Sequence, residues 1–237
     1  MISVIVPVYN EAATVKELHQ RIVKALNQQS ESYEIVFVND GSTDGTLDIM
    51  KTLKPLKIVS LQRNYSNTPA LDAGIQNAKG DILAFLDADL QNDPAEIPLL
   101  LNQLKNGCDV VVGWRKNRKD PLSRRLFSWF ANKMARFVLG SQIRDQGCAL
   151  KVYKSRFIKD FRLWGAAQIF LPVIAKKRGA RICEVPVGHY PRKAGFSKIK
   201  PSKILISGID LFIIKFGLYR WKKYKSSYVV REVIENK

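Results

Sequence analysis

The sequence predicts an α/β fold: a doubly wound, mainly parallel sheet with an amphipathic helical segment toward the C-terminus. Short, near-continuous apolar runs recur through the first half, as strands buried on both faces require. Segments of helical periodicity alternate with them. Polar clusters stand immediately after the first, second and fourth runs, and in such sheets ligands bind outside the carboxyl ends of the strands.

Ile2–Val6 is the first strand and leads into Pro7-Val8-Tyr9-Asn10-Glu11, with a helix predicted over Glu11–Gln28. Glu34–Val38 follows, then the turn Asn39-Asp40-Gly41-Ser42 and a helix at Thr46–Leu53 with Asp44 ahead of it as a cap. Lys57–Leu61 is the third strand; its helix, Pro69–Ala78, has Thr68 as a cap and proline in its first turn. Ile82–Leu86 and Val110–Val112 complete the set, separated by a helix at Ala95–Lys105 that Asp93 caps and Pro94 opens.

The second half reads differently. Pro121–Val138 is an amphipathic helix carrying Arg124, Arg125, Lys133 and Arg136. A short strand pair is expected at Cys148–Tyr153 and Arg181–Val187, with a helix near Ala166–Lys177 between them. Within Lys203–Trp221, Leu205, Ile206, Ile209, Phe212, Ile213, Phe216 and Tyr219 form one face, and Lys203, Ser207, Asp210 and Lys215 stand on the other. Such a helix lies in a membrane interface, although a core helix or a dimer contact has the same pattern. Residues 1–198 then form the sheet domain and 199–237 a basic C-terminal segment.

Asp87-Ala88-Asp89-Leu90-Gln91 stands where the fourth apolar run stops. Residues two apart in a strand point the same way, so the two carboxylates are expected side by side. Hard oxygen ligands of this kind suit Mg²⁺ or Mn²⁺, cations that also bind substrate phosphates.

Charge is divided unevenly. Residues 1–113 hold 9 Lys+Arg against 14 Asp+Glu, and residues 114–237 hold 30 against 7, within a total of +18. The basic half calls for a polyanionic partner, an anionic membrane or a phosphorylated ligand. Zinc-finger spacing and RNA-recognition aromatics are missing, which sets nucleic acid aside. Cys108, Cys148 and Cys183, odd in number and set in apolar stretches, read as buried reduced thiols of a reducing compartment. The first residues lack the basic flank and apolar length of a signal peptide, and no run reaches the roughly 18 apolar residues of a spanning helix. A cytoplasmic protein, peripheral on the inner membrane face, is the expectation.

Val4-Ile5-Val6-Pro7-Val8-Tyr9-Asn10-Glu11, Asn39–Thr46 and Asp87–Gln91 together resemble the family 2 glycosyltransferases of the GT-A fold. The likeness covers residues 2–198 and is nearest the polyprenyl-phosphate branch typified by dolichyl-phosphate mannose synthase. Arg63-Asn64-Tyr65, Ala70–Gly74, Asp145–Leu150 and Arg192–Lys198 fit that branch. The resemblance implies that Pro7, Tyr9, Glu11, Asp40, Asp87 and Ala88 bind a GDP- or UDP-sugar donor. Asp87, Asp89 and Gln91 would hold Mg²⁺ or Mn²⁺, with Asp89 and Arg192 as catalytic residues. Arg115, Arg124, Ser128 and Lys198 would gather the phosphate of a dolichyl or undecaprenyl acceptor, alongside an anionic membrane surface or an integral membrane partner.

It further implies an inverting transfer of a mannose- or glucose-type hexose. A phosphate acceptor is already ionised at neutral pH and needs no general base, whereas a hydroxyl acceptor calls for a carboxylate. The Glu-Asp and Gln-x-x-Arg-Trp motifs of processive polysaccharide synthases are not in the sequence. Two departures stand out. Asn39 replaces the usual second acid before the Gly-Ser turn, and Gln168-Ile169 replaces a His-Arg pair expected near the acceptor. Transfer to a sugar hydroxyl of a lipid-linked or surface glycan, and a non-catalytic nucleotide-sugar-binding subunit, are the alternatives.

Overall fold

A computed structural model describes residues 1–118, 122–192, 210–217 and 228–236, with the backbone alone over 122–127. Eight strands form one sheet: β1 (Ile2–Val8), β2 (Tyr33–Asn39), β3 (Leu56–Leu61), β4 (Ile82–Phe85), β5 (Val110–Arg115), β6 (Lys151–Lys154), β7 (Ile182–Val187) and β8 (Val230–Asn236). Their order is β7-β5-β6-β4-β1-β2-β3-β8. β1, β2, β3 and β4 run parallel, as do β5 and β7, while β6 and β8 are antiparallel to their neighbours. The chain winds outward from β1 to β3, then returns to place β4 on the other side of β1. That reversal makes the crevice in which such sheets bind ligands.

Helices cover both faces. α1 (Val15–Leu26), α2 (Thr46–Thr52) and α4 (Ile97–Lys105) pack on the face carrying Val4, Val6, Val8 and Phe37. α3 (Asn67–Asn77) and α6 (Ala167–Lys177) cover Ile5, Val36, Val38 and Phe85, joined there by Ala135 of α5 (Leu122–Leu139). The alternation along β1 and β2 is the period-two rule of a strand buried on both sides. Asp93 caps as expected, its carboxylate accepting from the Ala95 amide at 3.0 Å, and Pro94 opens a short 3₁₀ turn ahead of α4.

Several expectations are corrected. Thr68 lies inside the first turn of α3 and donates to the Gly165 carbonyl at 2.7 Å instead of capping. β6 and β7 do not pair with each other, because β5 lies between them. Residues 230–236, assigned from the sequence to a C-terminal segment outside the sheet, return to it as β8 on the edge of β3. Asn236 reaches over α2, its amide donating to the carbonyls of Lys51 and Leu53 at 3.1 and 3.2 Å. Tyr228 donates to Asp72 of α3 at 2.9 Å, where Arg162 also pairs.

Of the expected Lys203–Trp221 helix, residues 210–217 are described and the rest lies outside the described residues. Asp210, placed by the sequence on the polar face, is buried and accepts from Trp164 Nε1 at 3.0 Å and from the Ala166 amide at 2.6 Å. Phe212 and Phe216 are exposed, at 59% and 66%. Cys108 and Cys183 form a disulfide, against the reading of three reduced thiols, and only Cys148 is free. They lie 75 residues apart, and the β5–β7 register, which sets Val111 opposite Cys183, brings them together.

Candidate active site

The loops after β1 and β2 are stitched to each other. Asn10 receives a hydrogen bond from the Thr43 amide at 2.8 Å while its own amide donates to Ser42 Oγ at 3.0 Å. The Glu11 amide donates to Thr46 Oγ1 at 2.9 Å, and Asp44 accepts from the Thr46 amide at 3.0 Å. Asn39 uses both ends of its amide, donating to Ser60 at 3.1 Å and accepting from the Ser42 amide. Asn39 thereby braces β2 against β3 as the donor, where a carboxylate could only accept from the same hydroxyl. Gly41 has φ +66°, and a Cβ there would lie 2.3 Å from the Arg63 carbonyl carbon. Asp40, buried, accepts from the Tyr65 amide at 2.7 Å, and Glu11 accepts from Thr14 at 3.0 Å. Asn10, Ser66 and Leu90 are non-glycine residues in the left-handed region, in the loops after β1, β3 and β4.

β4 ends at Phe85, so Asp87 and Asp89 lie in a turn beyond the strand. Their proximity comes from that turn, with Leu90 at φ 59°, and the strand-pleat reasoning from the sequence is corrected accordingly. Burial and then the Asp89 charge push the Asp87 carboxyl up to about 6, against the opposing pull of Arg115, an Asn67 hydrogen bond and Arg192. Arg192 Nη2 sits 2.7 Å from Asp89 Oδ2. Two contacts deliver it. Gly188 donates to Glu96 at 2.8 Å, and the Tyr190 amide donates to the Gln91 carbonyl at 3.0 Å. The Gln91 side chain is turned toward Tyr190, donating to its carbonyl at 3.4 Å.

Arg115, expected at the acceptor phosphate, is engaged in an ion pair. Its guanidinium grips Asp145, Nε to Oδ2 at 2.7 Å and Nη2 to Oδ1 at 2.8 Å, with the two side chains 13% and 8% exposed. That fork overcomes the burial of Asp145 and holds its carboxyl below the ordinary range. Ser128, expected at the acceptor phosphate, accepts from Arg118 Nη1 at 2.6 Å, a cation that the sequence did not single out. Arg124 falls where the backbone alone is described, and Lys198 lies outside the described residues. Pro7 and Asp87 line a cavity with residues the sequence did not single out for it, among them Asn67, Gln146 and Lys151. Lys151 is buried, donates to the Gln146 carbonyl at 2.9 Å, and is pulled down to about 8 by that burial.

The donor set fits a hard divalent cation. Two carboxylates crowd each other enough to raise one of them, and a guanidinium already stands on the second as a stand-in positive charge. Among the described residues no group of three or more His, Cys, Asp or Glu gathers for a metal, so further ligands would come from diphosphate oxygens and water.

Residues 3–162 match the family model described as Glycosyl transferase family 2. The chain is 38% identical over 224 residues to a dodecaprenyl-phosphate galacturonate synthase of Rhizobium johnstonii, covering 91% of this chain and 66% of that protein. It is 37% identical over 203 residues to an undecaprenyl-phosphate 4-deoxy-4-formamido-L-arabinose transferase of Aeromonas hydrophila, covering 84% and 62%. The chain thus spans under two thirds of the length of these curated relatives. Among solved structures, glucosyl-3-phosphoglycerate synthase from Mycobacterium tuberculosis, in complex with Mn²⁺ and UDP-glucose, superposes with a TM-score of 0.73 at 18% identity. That match covers 92% of this chain and 79% of the other, and shares the GT-A fold.

Proposed function

Because the chain belongs to glycosyl transferase family 2, we propose that it moves a sugar from a nucleotide-sugar donor to a polyprenyl phosphate, with inversion at the anomeric carbon. The observation that carries the reading is the Asp87–Asp89 turn at the sheet's switch point, with Arg192 held on Asp89. The names of the two relatives differ in the sugar and agree on a polyprenyl phosphate, so they support the acceptor class.

In this reading Pro7, Tyr9, Glu11, Asp40 and Ala88 frame the nucleoside, which shares Asp40 with the Tyr65 amide. Asp87, Asp89 and Gln91 hold Mg²⁺ or Mn²⁺, which when bound offsets the charge of the departing diphosphate. An ionised acceptor oxygen attacks the anomeric carbon as the bond to the diphosphate breaks on the opposite side, so no side chain has to take a proton. Arg192, Arg118 and Ser128 gather the incoming phosphate, with Arg124 and Lys198 proposed beside them. Arg115 acts behind them, fixing Asp145 and the loop that carries it.

Two features support contact with an anionic membrane. Residues 114–237 hold 30 Lys+Arg against 7 Asp+Glu. Trp129, Phe130 and Phe137 stand 54%, 58% and 85% exposed on α5, an apolar face that water does not favour. Among the described residues no helix is long and apolar enough to cross a membrane.

The test is transfer of radiolabelled sugar from GDP- and UDP-sugars into an organic phase, with Mg²⁺ or Mn²⁺ and with a short polyprenyl phosphate added or omitted. Label extracted only with the lipid phosphate is the expected result, abolished by Asp89→Asn in a folded protein. Transfer to a hydroxyl-bearing acceptor in its place, or full activity of the variant, would overturn the reading.

A further inference from the structure

Beside Asp87 lies a cavity of about 80 Å³, lined also by Asn67, Gln146, Lys151, Gln168 and Ile169. It is several times roomier than one water needs. Three of its lining side chains carry buried amide oxygens with no hydrogen-bond partner among the described residues: Asn67 Oδ1, Gln146 Oε1 and Gln168 Oε1. Buried polar groups are as a rule hydrogen-bonded, so three such acceptors on the wall of one cavity call for an explanation.

The wall is also braced. Asn67 spends its other end on Asp87. Gln146 Nε2 donates to Ser141 at 2.8 Å, its backbone amide donates to Asn132 at 3.1 Å, and its carbonyl receives Lys151 at 2.9 Å. Two of the three unmatched acceptors, on Asn67 and Gln146, are thus held in place, and a ligand rich in O–H donors would satisfy all three. Asp87 fixes which one: if it binds the metal of a nucleotide-sugar's diphosphate, the group attached to that diphosphate is a sugar ring.

We propose that Gln168, with Asn67 and Gln146, selects the donor sugar, their amide oxygens accepting from ring hydroxyls of a pyranose seated beside Asp87, with Lys151 donating to one of its oxygens. The inference rests on the glycosyl-transfer reading and goes further by naming residues that choose the substrate. It also moves Gln168-Ile169, the departure that the sequence assigned to the acceptor side, to the donor side of the site. Gln168 enters from the first turn of α6 and Asn67 from the first turn of α3, so the cavity is closed by two helices packed on the same face of the sheet.

The experiment measures binding, in Mn²⁺, of UDP, GDP, UDP-glucose, UDP-galactose, UDP-glucuronic acid and GDP-mannose to the wild-type chain and to Gln168→Leu. Gln168→Ser serves as a second variant with a smaller, still polar side chain. The expected result is a loss of tenfold or more for the preferred nucleotide sugar, or a reordering of the panel, with the bare nucleoside diphosphate held within twofold. That unchanged affinity is also the control for folding. Equal losses for sugar-bearing and bare nucleotides, or an unchanged panel whatever the KM for the lipid phosphate, would overturn the inference and leave glycosyl transfer standing. Failure of the wild-type chain to bind any of the six would overturn the glycosyl-transfer reading itself.

Discussion

Replacing Arg115 by methionine separates a scaffold role from a phosphate-binding one. The substitution keeps the apolar stem and removes the fork that grips Asp145 at 2.7 and 2.8 Å. Asp145 is 8% exposed and would be left as an unpaired buried carboxylate, a change that costs about 3–5 kcal/mol. For a chain of this size each kcal/mol moves Tm by about 2–4 °C, so Tm should fall by about 6–20 °C at pH 7. Asp145→Leu added to Arg115→Met should recover more than half of that loss, since the orphan charge goes with it. The pH dependence has a definite sign. In the wild-type chain the lowered Asp145 carboxyl contributes stability above its unfolded value of about 3.9, lost as pH falls through the lower folded value. Without Arg115, burial raises the same group, which then takes up a proton as pH falls. The gap in Tm between variant and wild type should therefore narrow from pH 7 toward pH 4. Calorimetric scans at several pH values read both effects. A Tm within about 2 °C of wild type, with a tenfold higher KM for the lipid phosphate, would refute the scaffold role and restore Arg115 to the acceptor.

Unfolded without reductant, the chain should titrate one thiol with a chromogenic disulfide, and after reduction all three of its cysteines. Three thiols before reduction would exclude the Cys108–Cys183 bond; in the native chain Cys148, pushed up by burial to about 12, should react slowly. Gly41→Ala places a Cβ 2.3 Å from Arg63 backbone at φ +66°, and should destabilise by about 1–3 kcal/mol while weakening nucleoside diphosphate binding. An unchanged Tm and donor affinity would show that the β2 loop yields without loss.

What could be read in advance follows the range of the interaction. β1 to β5 announce themselves because each is a local apolar run, and the polar loops behind them are equally local. β8 reads Val-Arg-Glu-Val-Ile-Glu-Asn, without a sustained apolar run, and its partner β3 lies more than 160 residues earlier, so no local pattern assigns it to the sheet. The same holds for Cys108 with Cys183, for Arg115 with Asp145, and for Asn67, Gln146 and Gln168 around one cavity. Each depends on which strand sits beside which. Arg118 was passed over because a loop arginine carries no sign of its partner, Ser128, ten positions on. Asp87 and Asp89 lie close enough to act on each other because of the turn after β4, where the sequence offers the strand pleat as the reason.

The left-handed residues Asn10, Ser66 and Leu90 follow three of the four adjacent parallel strands, and Gly41 follows the fourth. Outside glycine, such a conformation costs about 1–2 kcal/mol per residue. The rim that carries the proposed site is therefore held in shape by the rest of the molecule and relaxes when that hold weakens. Increasing denaturant should abolish the proposed donor binding before it unfolds the chain, opening a window in which the helices and sheet remain and the rim has let go.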